Sequence, residues 1–149
     1  MKVLRNAITL ILGCATLMEA QGHSKQWSVV GTWHLLRIDA PGPDGKPVDA
    51  PQPTGMLIYT ADGHASVQLM YRQTALSNEF VHDGYEATFG SYDLDKAKHQ
   101  LIYHVEGSAT REKLVGQSET LAYELPDNHH MIIRPANPDQ HWSVTWERY

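Results

Sequence analysis

Hydrophobic and polar residues alternate in short runs from residue 31 to the end of the chain. Alternation with a period of two is typical of strands that have one buried face. The runs cover 32–39, 56–60, 64–71, 88–94, 99–108, 118–125, 130–135 and 141–149. Most are joined by short turns, which makes neighbouring strands antiparallel. The pattern predicts an all-β fold, an eight-stranded antiparallel up-and-down barrel, with a two-sheet sandwich as the alternative.

One segment departs from this alternation. Residues 73–87 carry apolar side chains at 76, 80 and 81 and possible capping residues at Ser77 and Asn78. Such spacing predicts a short helix or an ordered loop between the third and fourth strands.

Hairpin turns set which side chains share a face. If Asp62-Gly63 is a two-residue type I′ turn, Tyr59 lies opposite Ser66 and Leu57 lies opposite Gln68. In the next hairpin, placing Leu94 opposite His99 pairs Tyr92 with Leu101. One apolar face of that hairpin then carries Tyr92, Leu94, Leu101, Tyr103 and Val105. Several inward residues then end in a hydroxyl or amide, which is typical of a ligand cavity rather than a solid core. The predicted ligand-binding residues are Tyr59, Ser66, Gln68, Tyr92, Tyr103, Leu121 and Tyr123.

The first twenty residues have a different composition. Lys2 and Arg5 precede an apolar run from Ala7 to Met18, and small or polar residues follow. This layout predicts a signal peptide at 1–20 with a barrel domain at 27–149, and hence a secreted or periplasmic protein. Alternatively, Gly13-Cys14 is a lipoprotein cleavage site, and Cys14 would then anchor the protein to a membrane. Cys14 is the only cysteine, so no internal disulfide can form.

Charge and motif content exclude several functions. The formal net charge is -5, and no cluster of Lys and Arg offers a surface for nucleic acid. The nine histidines lack metal-ligand spacing, so we expect no metal and no other cofactor. No serine elbow or phosphate loop occurs, so no catalytic residue is assigned. The acids Asp93, Glu106, Glu119 and Glu124 are expected to face mostly outward or lie near turns, which argues against a catalytic carboxylate pair.

The stretches "VVGTWHLLRI", "GMLIYTADGHASVQLM", "FGSYDLD", "YHVEGS" and "VTWERY" resemble the lipocalin-like domain proteins of bacteria and fungi. The resemblance spans roughly residues 29–149 and implies a cup-shaped barrel that is closed at one end. It also implies that Trp33 seals the closed end and that Arg148 packs across its ring, both in structural roles. Relatives often carry histidine at the position of Tyr103 and arginine at that of Leu121, so this chain should have a less basic pocket.

These observations predict an exported protein that binds a small, mostly apolar or amphipathic molecule inside its barrel. The resemblance also implies an alternative, a cofactor-independent cyclase or isomerase of natural-product biosynthesis that uses the same cavity. A lipid-anchored accessory protein without a ligand is a third possibility.

Overall fold

The chain forms a closed antiparallel barrel in a computed structural model that describes residues 27–41, 52–72, 77 and 80–149. Each strand pairs with the next, and β1 also pairs with β8, so the predicted up-and-down barrel is confirmed. The strands are β1 (Gly31–Asp39), β2 (Thr54–Tyr59), β3 (His64–Met70), β4 (Tyr85–Asp95), β5 (Gln100–Ser108), β6 (Ser118–Glu124), β7 (His130–Pro135) and β8 (Ser143–Arg148).

Helix is almost absent from the described residues. A single 3₁₀ turn, Glu112–Leu114, lies between β5 and β6. The helix or loop predicted for 73–87 falls partly on 73–76, 78 and 79, which lie outside the described residues, and Tyr85 already begins β4. Among the described ranges, no helix is long and apolar enough to cross a membrane.

The strand order gives the barrel two different ends. The short turns β2–β3, β4–β5 and β6–β7 meet the start of β1 and the finish of β8 at one end, which we name the closed end. The connections β1–β2, β3–β4, β5–β6 and β7–β8 all leave and re-enter the barrel at the opposite end, which we name the open end. At the open end, the Arg111 guanidinium donates two hydrogen bonds to the Val81 carbonyl and so links two of these connections.

The closed end is built around Trp33, whose side chain is fully buried. Its indole N–H donates to the Val29 carbonyl at 2.8 Å, and the Arg148 guanidinium lies 4.1 Å from the ring centroid. Arg148 also donates to the carbonyls of Val30, Ser28 and Asn128. The contact between Trp33 and Arg148 implied by the resemblance is therefore present, and it joins the first strand to the last.

Gly31 is required by this arrangement. Its φ is +148°, and a Cβ atom there would stand 2.2 Å from Arg148 Nη1. Any larger residue would displace the guanidinium from the indole. Steric exclusion therefore explains why glycine stands two residues before the tryptophan.

The register predicted for the β2–β3 hairpin was wrong by one residue. Tyr59 pairs with Ala65 and Leu57 pairs with Val67, not with Ser66 and Gln68. The connection is a three-residue loop, 61–63, in which Gly63 has a φ of +89° and Asp62 has no positive φ. Since side chains alternate between faces, this shift moves Ser66 and Gln68 to the outside of the barrel.

The other predicted faces are confirmed, although Tyr92 pairs with Tyr103 rather than Leu101. The pairing differs by two residues, which leaves each side chain on its predicted face. Buried inward residues on these strands and on the last three include Tyr92, Leu101, Tyr103, Val105, Leu121, Tyr123 and Trp146.

Candidate functional site

A cavity of about 970 Å³ extends from the middle of the barrel to the open end. Its upper wall comes from the open-end connections, including Tyr71, Phe80, Leu114 and Trp142. This volume lies in the range of sites that enclose a small organic molecule.

Most of the cavity wall is apolar. Inward positions of the strands alternate with outward ones, so each strand contributes side chains two residues apart. The aliphatic members on the strands are Leu57, Ala65, Val67, Leu69, Val105, Leu121, Ile133 and Val144. Such a wall favours a ligand with a substantial apolar body, because about 25 cal/mol is gained per Å² of apolar surface removed from water.

Hydroxyl groups of Tyr59, Thr88 and Tyr103 belong to the same wall. The Tyr103 hydroxyl donates to Thr88 Oγ1 at 3.1 Å, which ties β5 to β4 inside the barrel. Tyr59 is only 4% exposed, and its ring contacts Tyr92 edge-on at 4.8 Å. Among the described residues, no hydrogen bond satisfies the Tyr59 hydroxyl, so this group remains available to a ligand.

The sequence reasoning missed two carboxylates in the cavity. Glu86 on β4 pairs with the inward Leu69, and Glu119 on β6 pairs with the inward Tyr103. Both line the cavity. Of the acids expected to face mostly outward or lie near turns, Glu119 lies near the start of β6 but lines the cavity, whereas Asp93, Glu106 and Glu124 are exposed.

A signal for both acids was present in the sequence. The inward series Tyr92 and Leu94, continued backward in steps of two, reaches Thr88 and Glu86. The series Tyr123 and Leu121 reaches Glu119 in the same way. The prediction began β4 at residue 88 and so excluded Glu86 from the strand.

The cavity changes the proton affinity of its acidic groups. Burial raises the pKa of the Glu86 carboxyl to about 7, and the nearby Glu119 carboxylate adds to the rise. Burial likewise raises the pKa of Tyr71 to about 12, and Glu86 contributes to it. The Tyr103 pKa is raised by burial, partly opposed by its hydrogen bond to Thr88. These groups therefore form one interacting set around the upper cavity.

The seven predicted ligand-binding residues fall into three groups. Tyr59, Tyr103 and Leu121 line the cavity. Tyr92 and Tyr123 point inward near the closed end, where the Tyr92 hydroxyl donates to the Thr60 carbonyl at 2.8 Å and Tyr123 contacts the His99 ring.

Ser66 and Gln68 form the third group, on the outer face. Gln68 is exposed, and the Ser66 hydroxyl donates to the Thr88 carbonyl. Whether any member of the three groups binds a ligand stays a prediction.

The charged side chains among the described lining residues are both acidic. The described lining includes Glu86 and Glu119 but no lysine, arginine or histidine. Among the residues that the structure describes, no group of three or more His, Cys, Asp or Glu side chains is placed to hold a metal ion.

A closed eight-stranded up-and-down barrel with an interior cavity and a tryptophan–arginine closed end defines a barrel of the lipocalin type. The lipocalin-like domain family matches residues 30–149, so the chain belongs to that family, as the sequence resemblance predicted. A comparison with curated proteins gives no match.

Proposed function

We propose that this protein binds a small amphipathic molecule with a large apolar part inside its barrel. The observation that carries the proposal is the cavity of about 970 Å³, which is walled by aliphatic side chains and opens at one end. Hydroxyl and carboxyl groups on a mostly apolar wall would orient the bound molecule. Membership of the lipocalin-like family supports ligand binding in general.

The test is native mass spectrometry of the protein purified from its host, compared with two variants on adjacent residues. Val67→Trp fills the cavity, whereas Gln68→Trp places the same side chain on the outer face of the same strand. We expect a co-purifying small molecule on the native protein and on Gln68→Trp, and none on Val67→Trp. Retention by Val67→Trp, with the barrel fold verified by circular dichroism, would contradict the proposed site.

A second candidate function is a cofactor-independent isomerase or cyclase that uses the same cavity. The observation that favours it is Glu86, whose pKa of about 7 matches the requirement for a general acid or base at neutral pH. Tyr59 and Tyr103 could polarise a carbonyl of a substrate folded against the apolar wall.

Such a reaction changes the structure of a molecule without changing its mass. The test is to add the native protein or its Glu86→Gln variant to a small-molecule extract from the host. A product with altered chromatographic retention at constant mass, formed only by the native protein, supports catalysis. An extract that is identical in both samples argues for binding alone.

Export is proposed from residues 1–20, which lie outside the described residues. Lys2, Arg5 and the apolar run that ends at Met18 support a cleaved leader, with processing after Ala20 or at Cys14. The mass of the mature N-terminus distinguishes the two routes, because a lipidated Cys14 adds acyl groups that a simple cleavage product lacks. A full-length intact chain in the host would overturn export by either route.

A further inference from the structure

Tyr59 stands beside small residues in the barrel wall. It pairs with Ala65 on β3, which in turn pairs with Gly90 on β4. The Tyr59 side chain is more than nine-tenths buried and lines the cavity, and its hydroxyl has no hydrogen-bond partner among the described residues. Because buried polar groups in proteins are nearly always hydrogen-bonded, this hydroxyl indicates a missing partner.

A second unused hydroxyl proton belongs to the neighbouring part of the wall. Tyr103 on β5 and Thr88 on β4 both line the cavity, and Thr88 is only 5% exposed. Their hydroxyls share one hydrogen bond of 3.1 Å, which Tyr103 donates to Thr88 Oγ1. Two hydroxyls carry two protons, and one hydrogen bond uses one of them. The proton of Thr88 is left without an acceptor among the described residues, and reversing the bond would leave that of Tyr103 instead.

The phenol groups lie close enough to influence one another, in surroundings that disfavour negative charge. Burial is the largest cause of the raised pKa of Tyr59, and the Tyr103 phenol is the next largest. Burial is also the largest cause of the raised pKa values of Tyr103 and of Glu86, which lies two residues before Thr88 on β4. Each rise means that this part of the barrel opposes a further negative charge. A neutral acceptor therefore suits the two unused donors better than an anionic one.

We propose that the cavity takes an apolar molecule with a neutral carbonyl group, as in a ketone or an ester, whose oxygen accepts from Tyr59 and from the Tyr103–Thr88 pair. The inference rests on the proposed ligand-binding function and specifies the polar group of the ligand. A carbonyl oxygen has two lone pairs and no proton, so it accepts both unused protons at once. The aliphatic side chains of the wall contact the rest of the molecule.

The experiment compares methyl decanoate, decyl methyl ether and decanoate. The ester and the ether have the same chain length and differ by the carbonyl oxygen, whereas decanoate carries a charged head group. Their dissociation constants are measured by calorimetric titration of the full chain at about pH 6, where decanoate is ionised. We expect the ester to bind about tenfold more tightly than the ether, because two buried hydrogen bonds are gained. Decanoate should bind more weakly than the ester.

Infrared spectroscopy of the bound ester reports the hydrogen bonds directly. A hydrogen bond to a carbonyl oxygen weakens the C=O bond and lowers its stretching frequency. The ester band is separate from the absorption of the peptide carbonyls, so it can be followed in the complex. Bound methyl decanoate should show a lower C=O frequency than the same ester dissolved in hexane.

Two variants locate the donors. Tyr59→Phe removes the first donor, and the double variant Thr88→Val, Tyr103→Phe removes the second. The double change is needed because loss of either member alone frees the proton of the other. Each variant should reduce the preference for the ester over the ether to about threefold, while affinity for the ether stays within about threefold of the native value. Each should also raise the C=O frequency of the bound ester.

Two controls make the same chemical changes on the outer face. Tyr85 is exposed, and Thr145 lies between Val144 and Trp146, which line the cavity from β8. Since side chains alternate between faces, Tyr85→Phe and Thr145→Val should alter neither the preference for the ester nor its C=O frequency.

Equal affinities for the ester and the ether, tighter binding of decanoate, or a C=O band at the hexane frequency would overturn the carbonyl proposal while leaving ligand binding intact. A preference for the ester that survives in both Tyr59→Phe and the double variant would also overturn it. If none of the three molecules binds and the protein from its host carries no small molecule, the proposed binding function fails, and the carbonyl proposal fails with it.

Discussion

At the scale of single residues, the closed end depends on one arginine that makes a ring contact and three hydrogen bonds. The guanidinium of Arg148 stacks on Trp33 and donates to three carbonyls, at 2.9 Å to Asn128, 2.8 Å to Val30 and 2.7 Å to Ser28. A planar fork of donors suits this task, whereas a lysine ammonium could neither stack as well nor reach all three oxygens. The last strand is thereby fastened to the first.

Arg148→Ala should lower the free energy of unfolding by about 3 kcal/mol, because three carbonyls lose a charged donor and the indole loses its cover. Arg37→Ala serves as the control, since among the described residues Arg37 forms an ion pair with Asp39 on the exposed surface. We expect the control to change stability by less than about 0.5 kcal/mol. Urea denaturation measures both. Equal effects for the two variants would show that the closed-end contacts do not stabilise the fold.

At the scale of elements, turn length decided which parts of the site could be predicted. Asp62-Gly63 suits a two-residue turn and also the end of a three-residue loop, and these differ by one residue in register. The structure has the longer loop, so Ser66 and Gln68 lie outside and Ala65 and Val67 lie inside. The β4–β5 prediction differed by two residues instead, and every face survived because side-chain alternation also has a period of two.

The acids were missed for a related reason. Glu86 and Glu119 lie near the first residues of β4 and β6, where alternation is short and neighbouring loops obscure it. Strand interiors such as Leu121 and Tyr123 were predicted well, because several alternating residues on each side fix their face. Cavity residues at strand ends have only one such neighbour, and a charged residue there is most simply interpreted as solvent-exposed.

An aspartate supports each of the three short turns of the closed end. Asp95 Oδ1 accepts from the Lys98 amide, and Asp127 Oδ1 accepts from the amides of His129 and His130. Asp62 accepts from the Thr60 hydroxyl. These hydrogen bonds lower the pKa of each carboxyl. The largest contribution comes from Thr60 at Asp62, from Lys98 at Asp95 and from His130 at Asp127.

A lowered folded-state pKa means that the carboxylate form favours folding. The contribution of these aspartates is present above their unfolded pKa of 3.8 and is lost as pH falls through the lower folded values. We expect the midpoint temperature of thermal unfolding to decrease as the pH is lowered below about 4. The decrease should be smaller in the triple variant Asp62→Asn, Asp95→Asn, Asp127→Asn. Thermal unfolding followed by circular dichroism across this pH range tests the prediction. The same decrease in midpoint temperature for the native protein and the triple variant would contradict it.

At the scale of the whole molecule, the two ends of the barrel are built differently. Short turns, the buried Trp33 and the Arg148 contacts hold the closed end together, whereas described residues of the longer connections, among them Tyr71, Phe80, Leu114 and Trp142, line the upper cavity. Glu86 lies in the upper cavity, where burial removes its carboxyl from water. A core selected for stability alone would exclude such a group, so its presence supports a function for the cavity.

The effect of the buried Glu86 carboxyl on the free energy of unfolding can be tested through its pH dependence. Its folded pKa of about 7 lies above the unfolded value of 4.5, so the protonated form favours folding. The contribution of Glu86 to stability is greatest below the unfolded value, declines as pH rises from 4.5 to about 7, and stays low above that. In the ligand-free protein, Glu86→Gln should raise the free energy of unfolding at about pH 8.5 by roughly 2 kcal/mol and have little effect near pH ~4.

Urea denaturation at the two pH values, with Glu106→Gln as the exposed control, measures this effect. The control should change little at either pH, because its carboxylate is hydrated in the folded and unfolded states alike. A Glu86→Gln variant that is less stable than the native protein at the higher pH would show that the carboxylate has a stabilising partner. A variant that is more stable there would show that the desolvated carboxylate of Glu86 weakens the ligand-free barrel.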